Sequence, residues 1–243
     1  MSNLFSPLRP YRQKIKYKIG KYPIIFYPIF SFSPKFRSLS VDSKTELVIE
    51  GFPRSANTFS VLAFQRIQSR KIKLAHHLHV PSQILRGLKL GIPIMLLIRN
   101  PKDVTISYSI HYPSVPLEQI LREYIDYYTF LYNFRSAYSV ACFEEIISDY
   151  EKIINRLNCK FRTNFISRKL SSQEEEEIFN KIRKLYVSSD IYSQRKIEEQ
   201  RNLYISGQKD IIKQKIRSEL EKNKYRILLK DAEFIYQKYL YLL

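Results

Sequence analysis

The sequence predicts an α/β fold in which a central parallel sheet is flanked by helices. Apolar runs at residues 47–49 and 92–98 indicate strands, and a turn and a stretch with helical spacing of apolar residues follow each of them. The second run is nearly all apolar, as expected for a parallel strand that is covered on both faces. This order favours right-handed crossovers between parallel strands. From Ser171 onward the pattern is charged and helical, so we predict a mostly helical C-terminal segment over residues 170–243.

Length and composition are those of a globular protein. The chain has 243 residues, enough for a sizeable core, and its 44% hydrophobic and 14% aromatic content excludes an intrinsically disordered chain. Lys and Arg number 41 against 23 Asp and Glu, which gives a formal net charge of +18. Such a charge attracts polyanions, a class that includes nucleic acids, acidic membrane surfaces, anionic cofactors and acidic glycans.

A basic N-terminal arm is predicted at residues 1–45. It carries nine Lys or Arg residues and a single acid, Asp42, with Tyr and Phe between the cations. Contact with nucleic acid, contact with a membrane surface, and packing of the aromatic rings on the domain at residues 46–243 are all open interpretations. The apolar run at residues 22–30 is too short to span a bilayer and is not followed by the cleavage site of a secretory signal.

Cysteine use predicts a reducing compartment. Cys142 and Cys159 are too few for a disulfide framework, and Cys142 lies in an apolar run at residues 138–143 that indicates a buried strand. We therefore expect a cytoplasmic protein, with peripheral membrane association through the basic arm as an option.

Further elements follow in chain order. Residues 71–75 form a second apolar-basic run, and Pro81 then opens a helix that should end near Gly91. Apolar and tyrosine side chains recur at helical spacing over residues 116–134, and we interpret them as core rather than as an aromatic binding stripe. Residues 144–157 are predicted to form one helix, which acidic side chains open in the sense that the helix dipole favours.

A turn at residues 51–59, with the sequence GFPRSANTF, joins the first predicted strand to the first helix of the domain. At such a junction the first N–H groups of the helix have no intrahelical partner, and the helix dipole adds partial positive charge. The turn is therefore suited to hold a phosphate or a sulfate, and the forked guanidinium of Arg54 suits a pair of phosphate oxygens. The candidate anion-binding residues are Arg54, Ser55, Ala56, Asn57, Thr58 and Phe59.

This turn has the length of the nucleoside-triphosphate P-loop, G-x-x-x-x-G-K-[ST], but differs from it at two positions. Ala56 replaces the second Gly, and Asn57 replaces the Lys that would reach the β- and γ-phosphates. Arg99 ends the strand at residues 92–98, where a P-loop nucleotidase would place its magnesium-holding Asp. The sequence thus predicts a fold like that of P-loop nucleotide-binding proteins but argues against ATP hydrolysis.

Three runs are predicted to converge at one edge of the sheet. The turn at residues 51–59, the HHLH run at residues 76–79 and Arg99 all lie at predicted strand ends. In open α/β sheets the carboxyl ends of the strands form the crevice in which ligands bind. Ser107, on the helix that starts near Pro101, is expected to face the same crevice.

Two of these runs resemble motifs of the sulfotransferases that use 3′-phosphoadenosine 5′-phosphosulfate (PAPS). The PRSANTF run at residues 53–59 is similar to the 5′-phosphosulfate loop of that family, and RNPKDV at residues 99–104, with Ser107 eight positions after Arg99, is similar to its 3′-phosphate motif. FEEI at residues 143–146 looks like a later segment that supports the fold. The resemblance covers about residues 46–165 and implies a sulfotransferase with PAPS as co-substrate.

The resemblance also implies roles for individual residues. His77, which is followed by Leu and stands 22 positions before Arg99, would be the catalytic base, with His79 as the second choice. Arg54 would hold the 5′-phosphosulfate and neutralise the leaving group, while Arg99 and Ser107 would bind the 3′-phosphate. Sulfuryl transfer by this scheme requires no metal. Arg201 and Lys209 are candidates for completing the 3′-phosphate pocket.

Other functions stay open beside this one. A zinc site built from His76, His77 and His79 lacks a nearby Cys or acid to complete it. A non-catalytic polyanion-binding protein and a small-molecule kinase are the alternatives to a sulfotransferase, although the chain has no RNA-module signature, which disfavours nucleic acid. The expected acceptor is a small molecule or glycan, contacted by residues 108–135 with His111, and the basic surface favours a carbohydrate or glycolipid.

Overall fold

The computed structural model describes residues 8–189 and 208–243, and a four-stranded parallel sheet lies at the centre of this part of the chain. Every neighbouring pair of strands is parallel, in the order β2-β1-β3-β4. The predicted α/β class with a central parallel sheet is therefore confirmed. The strands are β1 (Leu47–Gly51), β2 (Leu74–His76), β3 (Ile94–Ile98) and β4 (Ser139–Cys142).

Helices flank the sheet and make up the N-terminal and C-terminal parts of the described chain. Three of them precede β1, and three follow residue 170, so the C-terminal segment is helical as predicted. A short 3-10 helix at Arg135–Ala137 leads into β4. The α-helices are α1 (Arg9–Ile19), α2 (Pro23–Phe30), α3 (Pro34–Leu39), α4 (Asn57–Ile67), α5 (Pro81–Lys89), α6 (Pro101–His111), α7 (Leu117–Tyr132), α8 (Phe143–Ser148), α9 (Tyr150–Phe161), α10 (Ser172–Ser189), α11 (Gln208–Leu220) and α12 (Asn223–Leu240).

One predicted helix is wrong in its extent. Residues 144–157 were expected to be continuous, whereas the structure divides them between α8 and α9 at Asp149. Asp149 has φ −150° and ψ 66°, and its carboxylate accepts a hydrogen bond of 3.2 Å from the N–H of Lys152, so it caps α9. An acidic residue that was interpreted as favourable within the helix instead starts a new one.

Successive strand residues point to opposite faces of the sheet. Both of these faces are buried. Val48 and Leu96 belong to the core under α7, whereas Ile49 and Leu97 belong to the core formed with α4 and α9. This double burial explains why the strand residues are almost all apolar. The tyrosines of α7 are core residues, as predicted, and Cys142 is buried in β4.

The N-terminal helices pack on the domain. The ring of Tyr17 stacks on Phe52 with 5.8 Å between centroids, and the Tyr27 hydroxyl donates a hydrogen bond of 2.9 Å to the side-chain oxygen of Gln83. The N–H of Ser82 donates to the carbonyl of Gly20 at 2.7 Å. The basic segment is thus anchored by its aromatic residues. No helix within the described ranges is both long enough and apolar enough to cross a membrane.

Candidate functional site

The turn between β1 and α4 approaches β3 so closely that it requires glycine at its start. A Cβ at Gly51 would lie 2.5 Å from the carbonyl oxygen of Leu97. Later in the turn Arg54 and Ala56 adopt left-handed conformations, with φ of 74° and 65°. Non-glycine residues in this region store strain, which often marks a binding site. The turn therefore has a fixed and unusual backbone shape.

Asn57 stands in the position of the P-loop Lys and braces the turn from within. Its amide nitrogen donates a hydrogen bond of 3.1 Å to the carbonyl of Phe52. Ala56, the residue that precedes α4, makes no side-chain capping bond, so the first amide groups of this helix are available to a ligand. The same short segment that lacks the phosphate-reaching Lys thus keeps a helix start with uncapped amide groups, a feature suited to an anion.

Arg54, Arg99 and Ser107 form a connected cluster beside this turn. Nε of Arg54 donates a hydrogen bond of 3.0 Å to the hydroxyl of Ser107, and Nη1 of Arg99 donates one of 3.1 Å to the carbonyl of Arg54. Phe143 supports the cluster from below, because the Arg99 guanidinium lies 3.7 Å from the centre of its ring. The structure thus joins the two predicted anion motifs directly.

The guanidinium groups of Arg54 and Arg99 are suited to bind an anion. Burial lowers the pKa of Arg99, and the positive charge of Arg54 lowers it further. Nε of Arg99 is buried without a hydrogen-bond partner among the described residues. A buried donor without a partner is costly, and a bound phosphate oxygen would relieve both this cost and the repulsion between the cations.

His77 faces the start of α4. Its Nε2 lies 3.0 Å from the Thr58 hydroxyl, and its Nδ1 lies 2.6 Å from Nδ1 of His76. His79 instead turns to the backbone, with its Nδ1 2.8 Å from the carbonyl of Gly51. The two candidate bases therefore differ in surroundings, and His77 is the one beside the anion-binding helix start.

The protonation of His77 follows from its burial. Burial lowers the pKa of His77 to about 3, and nearby positive charge on His76 and Lys35 acts in the same direction. The ring is therefore neutral near pH 7. One consistent assignment places the His77 proton on Nδ1, donated to His76, and leaves Nε2 as an acceptor for the Thr58 hydroxyl.

Glu50, which the sequence analysis did not single out, shapes the histidine loop. Its fully buried carboxylate accepts hydrogen bonds from the N–H groups of Leu78 at 2.6 Å and His79 at 3.1 Å. Both His77 and His79 have left-handed backbones, with φ of 60° and 54°. Burial raises the pKa of Glu50 to about 8, although these backbone donors oppose the shift. An acid at the end of an otherwise apolar strand was the available signal.

Two tyrosines of α7 tie the site to the sheet. The Tyr128 hydroxyl donates a hydrogen bond of 2.7 Å to the carbonyl of Leu97 and accepts one of 3.2 Å from the N–H of Phe52. The Tyr124 hydroxyl donates one of 2.8 Å to the carbonyl of Arg99. Both were predicted only as core residues, and the helical pattern gave no sign of these polar contacts.

A cavity of about 1120 Å³ opens at this edge of the sheet, and the charged residues that line it are all basic. Asn57, Thr58 and His77 line it, and His111 and Tyr112 line another part, where the acceptor side was predicted. Burial lowers the pKa of His111 to about 4. No Asp or Glu lines the cavity within the described residues, whereas its Lys and Arg residues are Arg9, Arg12, Lys16, Arg54 and Arg99.

The remaining predicted site residues take other positions. Ser55 is fully buried under the turn, and Phe59 packs against Phe179 with 5.3 Å between ring centroids while also lining the cavity. Arg201 and the side chain of Lys209 lie outside the described residues. The described ranges contain no group of three His, Cys, Asp or Glu residues that could hold a metal ion.

Comparisons with known proteins give limited information. No protein family matches the chain, and no curated protein is significantly similar to it in sequence. Among solved structures, the chain is similar to mouse sulfotransferase SULT7A1 complexed with PAP, with a TM-score of 0.37 and 12% sequence identity. The aligned part covers 59% of this chain and 65% of that chain. Similarity at this level leaves the family unassigned.

Proposed function

We propose that this chain is a sulfotransferase that transfers the sulfuryl group of PAPS to an acceptor hydroxyl, on a carbohydrate or a glycolipid. The observation that carries the proposal is the hydrogen bond between Arg54 and Ser107, which joins the phosphosulfate-type turn to the 3′-phosphate-type motif. Arg99 extends the cluster through the Arg54 carbonyl. A donor with phosphate groups at both its 5′ and 3′ positions would need two such neighbouring anion sites.

The chain's own groups fit this donor. The amide groups at the start of α4 and the guanidinium of Arg54 would hold the 5′-phosphosulfate, and the buried Nε of Arg99 would bind a 3′-phosphate oxygen together with Ser107. Bound PAPS supplies an activated sulfuryl group with a phosphate leaving group. Cationic groups fixed at that place stabilise negative charge as it develops, and they need no reorganisation to do so.

His77 is the proposed proton acceptor. The bond between the acceptor oxygen and the sulfur forms as the bond between the sulfur and the leaving phosphate oxygen breaks, and the hydroxyl proton passes to Nε2 of His77. With the His77 proton on Nδ1, that N–H donates a hydrogen bond to Nδ1 of His76, which would hold the ring in the required orientation. A pKa of about 3 makes the free ring a weak base, but the negative charge of a bound nucleotide beside Thr58 would raise that pKa toward neutrality.

Calorimetric titration of 3′,5′-bisphosphoadenosine in metal-free buffer tests the donor site. We expect the wild-type protein to bind this compound much more tightly than 5′-AMP, and Arg99→Ala to lose that preference. Arg66→Ala is the matched control, because Arg66 pairs with Glu174 on the exposed side of α4 and does not line the cavity. Its binding should equal that of the wild type.

The same titration separates the alternative functions. A small-molecule kinase would prefer magnesium ATP, and a polyanion-binding protein would bind with strong salt dependence and no preference for the 3′-phosphate. If the folded wild-type protein does not bind bisphosphoadenosine, the sulfotransferase proposal is wrong. The engagement of Asn57 with Phe52 disfavours the kinase, since this side chain braces the turn rather than reaching a γ-phosphate.

A further inference from the structure

The exposed surface of the N-terminal helices is apolar to an unusual degree. In α2 the side chains of Phe26 and Tyr27 are buried against the domain, whereas Ile24, Ile25 and Ile29 point to solvent. Ile24 is 88% exposed, and Phe32, just after the helix, is 85% exposed. Helix α2 thus presents an apolar face on both sides, a pattern expected where a helix is covered by protein or by lipid.

The sequence on either side of this apolar face is rich in cations and contains no acid. Residues 9–39, which span α1 to α3, contain eight Lys or Arg residues and no Asp or Glu. Those whose side chains are exposed are Arg12, Lys14, Lys18, Lys35 and Arg37. We call the apolar residues of α2 and Phe32, together with these cations, the N-terminal patch. An apolar face bordered by Lys and Arg is complementary to an anionic lipid surface.

The N-terminal patch is continuous with the candidate cavity. Arg12 and Ile15 of α1 and Phe30 of α2 all line the cavity, and Ile15 is also exposed at the surface. These residues place the mouth of the cavity beside the patch. A surface that contacts the patch would therefore also lie next to the opening of the site.

We propose that the N-terminal patch docks the protein on an anionic membrane surface, with the isoleucine side chains of α2 inserted at the boundary between headgroups and acyl chains. Phe32 is an exposed aromatic residue of the patch, but the exposed side chains of α2 itself are aliphatic. Ile24, Ile25 and Ile29 have no aromatic face on which a base could stack, which favours lipid over RNA. The docking does not depend on the identity of the reaction in the cavity.

Co-sedimentation of the full chain with lipid vesicles tests the proposal. We expect binding to vesicles of phosphatidylcholine mixed with phosphatidylglycerol, much weaker binding to phosphatidylcholine alone, and weakening by salt. Ile24→Gln should lower the partition coefficient by roughly tenfold or more, because it removes an apolar side chain from the lipid. Ile227→Gln on α12 is the matched control, since Ile227 is 73% exposed and lies outside the patch; it should bind like the wild type.

A second pair of variants isolates the electrostatic contribution to vesicle binding. Lys35→Gln combined with Arg37→Gln should lower the partition coefficient roughly 30-fold, because each cation near the surface contributes about 1 kcal/mol, a factor of roughly five to six. Lys215→Gln combined with Arg217→Gln on α11 removes two exposed cations at the same spacing outside the patch. This control should have little effect, whereas an equal loss in both double variants would indicate diffuse attraction and overturn the proposal.

Other occupants of the patch give distinct results. Failure of the folded protein to bind anionic vesicles overturns the proposal, as does unchanged binding by Ile24→Gln. If sedimentation velocity instead shows a dimer that Ile24→Gln dissociates, a second copy of the chain covers the patch. If single-stranded RNA binds where vesicles do not, the cations serve nucleic acid. The vesicle and sedimentation assays contain no bisphosphoadenosine, so their outcome is independent of its binding.

Discussion

Nε2 of His77 lies 3.0 Å from the hydroxyl of Thr58, in the first turn of the helix that follows the anion-binding turn. A residue from the end of β2 thus meets a residue that starts α4, at the place where a bound phosphosulfate would receive the amide groups of that helix. This contact links the proposed base to the proposed donor site.

We expect His77→Ala to lower kcat for sulfuryl transfer by roughly 10²- to 10⁴-fold, because it removes the proposed general base. Binding of bisphosphoadenosine should be little changed, and steady-state kinetics with calorimetry measures both quantities. His79→Ala is the comparison, since this ring contacts the Gly51 carbonyl instead. If His79→Ala abolishes turnover while His77→Ala does not, the assignment of the base is reversed.

Nucleotide binding should be accompanied by proton uptake at about pH 5. Burial holds the pKa of His77 at about 3 in the free protein, so the ring is neutral at that pH. Negative charge bound beside Thr58 raises this pKa, and the ring then takes up a proton. Titrations in buffers of different ionisation enthalpy measure the number of protons. Uptake that persists unchanged in His77→Gln would contradict this origin.

Glu50→Gln should change how stability depends on pH. Burial raises the folded-state pKa of Glu50 to about 8, above its ordinary value of about 4.3, so the folded protein binds more protons than the unfolded chain between these values. The free energy of unfolding contributed by Glu50 is therefore present in acid and is lost as the pH rises toward 8.

Urea denaturation at several pH values measures this effect. The wild type should lose stability between about pH 5 and pH 8 relative to Glu50→Gln, whose amide does not titrate. At the acid end the variant should be less stable by about 1–3 kcal/mol, because an NH₂ group then faces a backbone donor of Leu78 or His79. If the stability of the two proteins depends on pH in the same way, Glu50 is not the group that titrates over this range.

Tyr128→Phe should destabilise the fold by about 1–3 kcal/mol, because the Leu97 carbonyl and the Phe52 N–H would both lose their partner. Tyr127→Phe is a matched control on the same helix, since the Tyr127 hydroxyl is buried without a hydrogen-bond partner among the described residues. Removal of that hydroxyl should be neutral or stabilising. Chemical denaturation measures both changes. Equal losses of stability in the two variants would show that the hydrogen bonds of the Tyr128 hydroxyl do not stabilise the fold.

The sequence was sufficient to predict the sheet and the position of the turn between β1 and α4. Strands β1 and β3 are buried on both faces, so their continuous apolar runs stand out, and the turn has a recognisable order of small, polar and basic residues. Contacts between residues far apart in the chain could not be predicted from the sequence. The bond between Arg54 and Ser107 spans 53 positions, and no local pattern states that two donors of an anion site will touch each other.

Glu50 was missed for a different reason, and the packing of the N-terminal helices was left undecided. Glu50 ends an apolar strand, where an acid usually marks the approach to solvent, yet here the backbone of the histidine loop folds over it. Packing of the basic segment on the domain was one of several open interpretations, because α1 and α3 carry many cations whereas α2 carries none. Only Tyr17, Phe26 and Tyr27 are buried in α1 and α2, too few to produce a clear periodic pattern.

The pairing of β1 with β3 positions the turn that follows Gly51 relative to Arg99. Gly51, at the start of the anion-binding turn, is paired in register with Leu97, two residues before Arg99. Neighbouring strands are about 4.8 Å apart, so this pairing sets the distance between the start of the turn and the end of β3. Residues of α1 and α2 also line the cavity, but they take no part in this strand pairing. Under the proposed function, substitutions in α1 and α2 would change the acceptor side and leave this pairing intact.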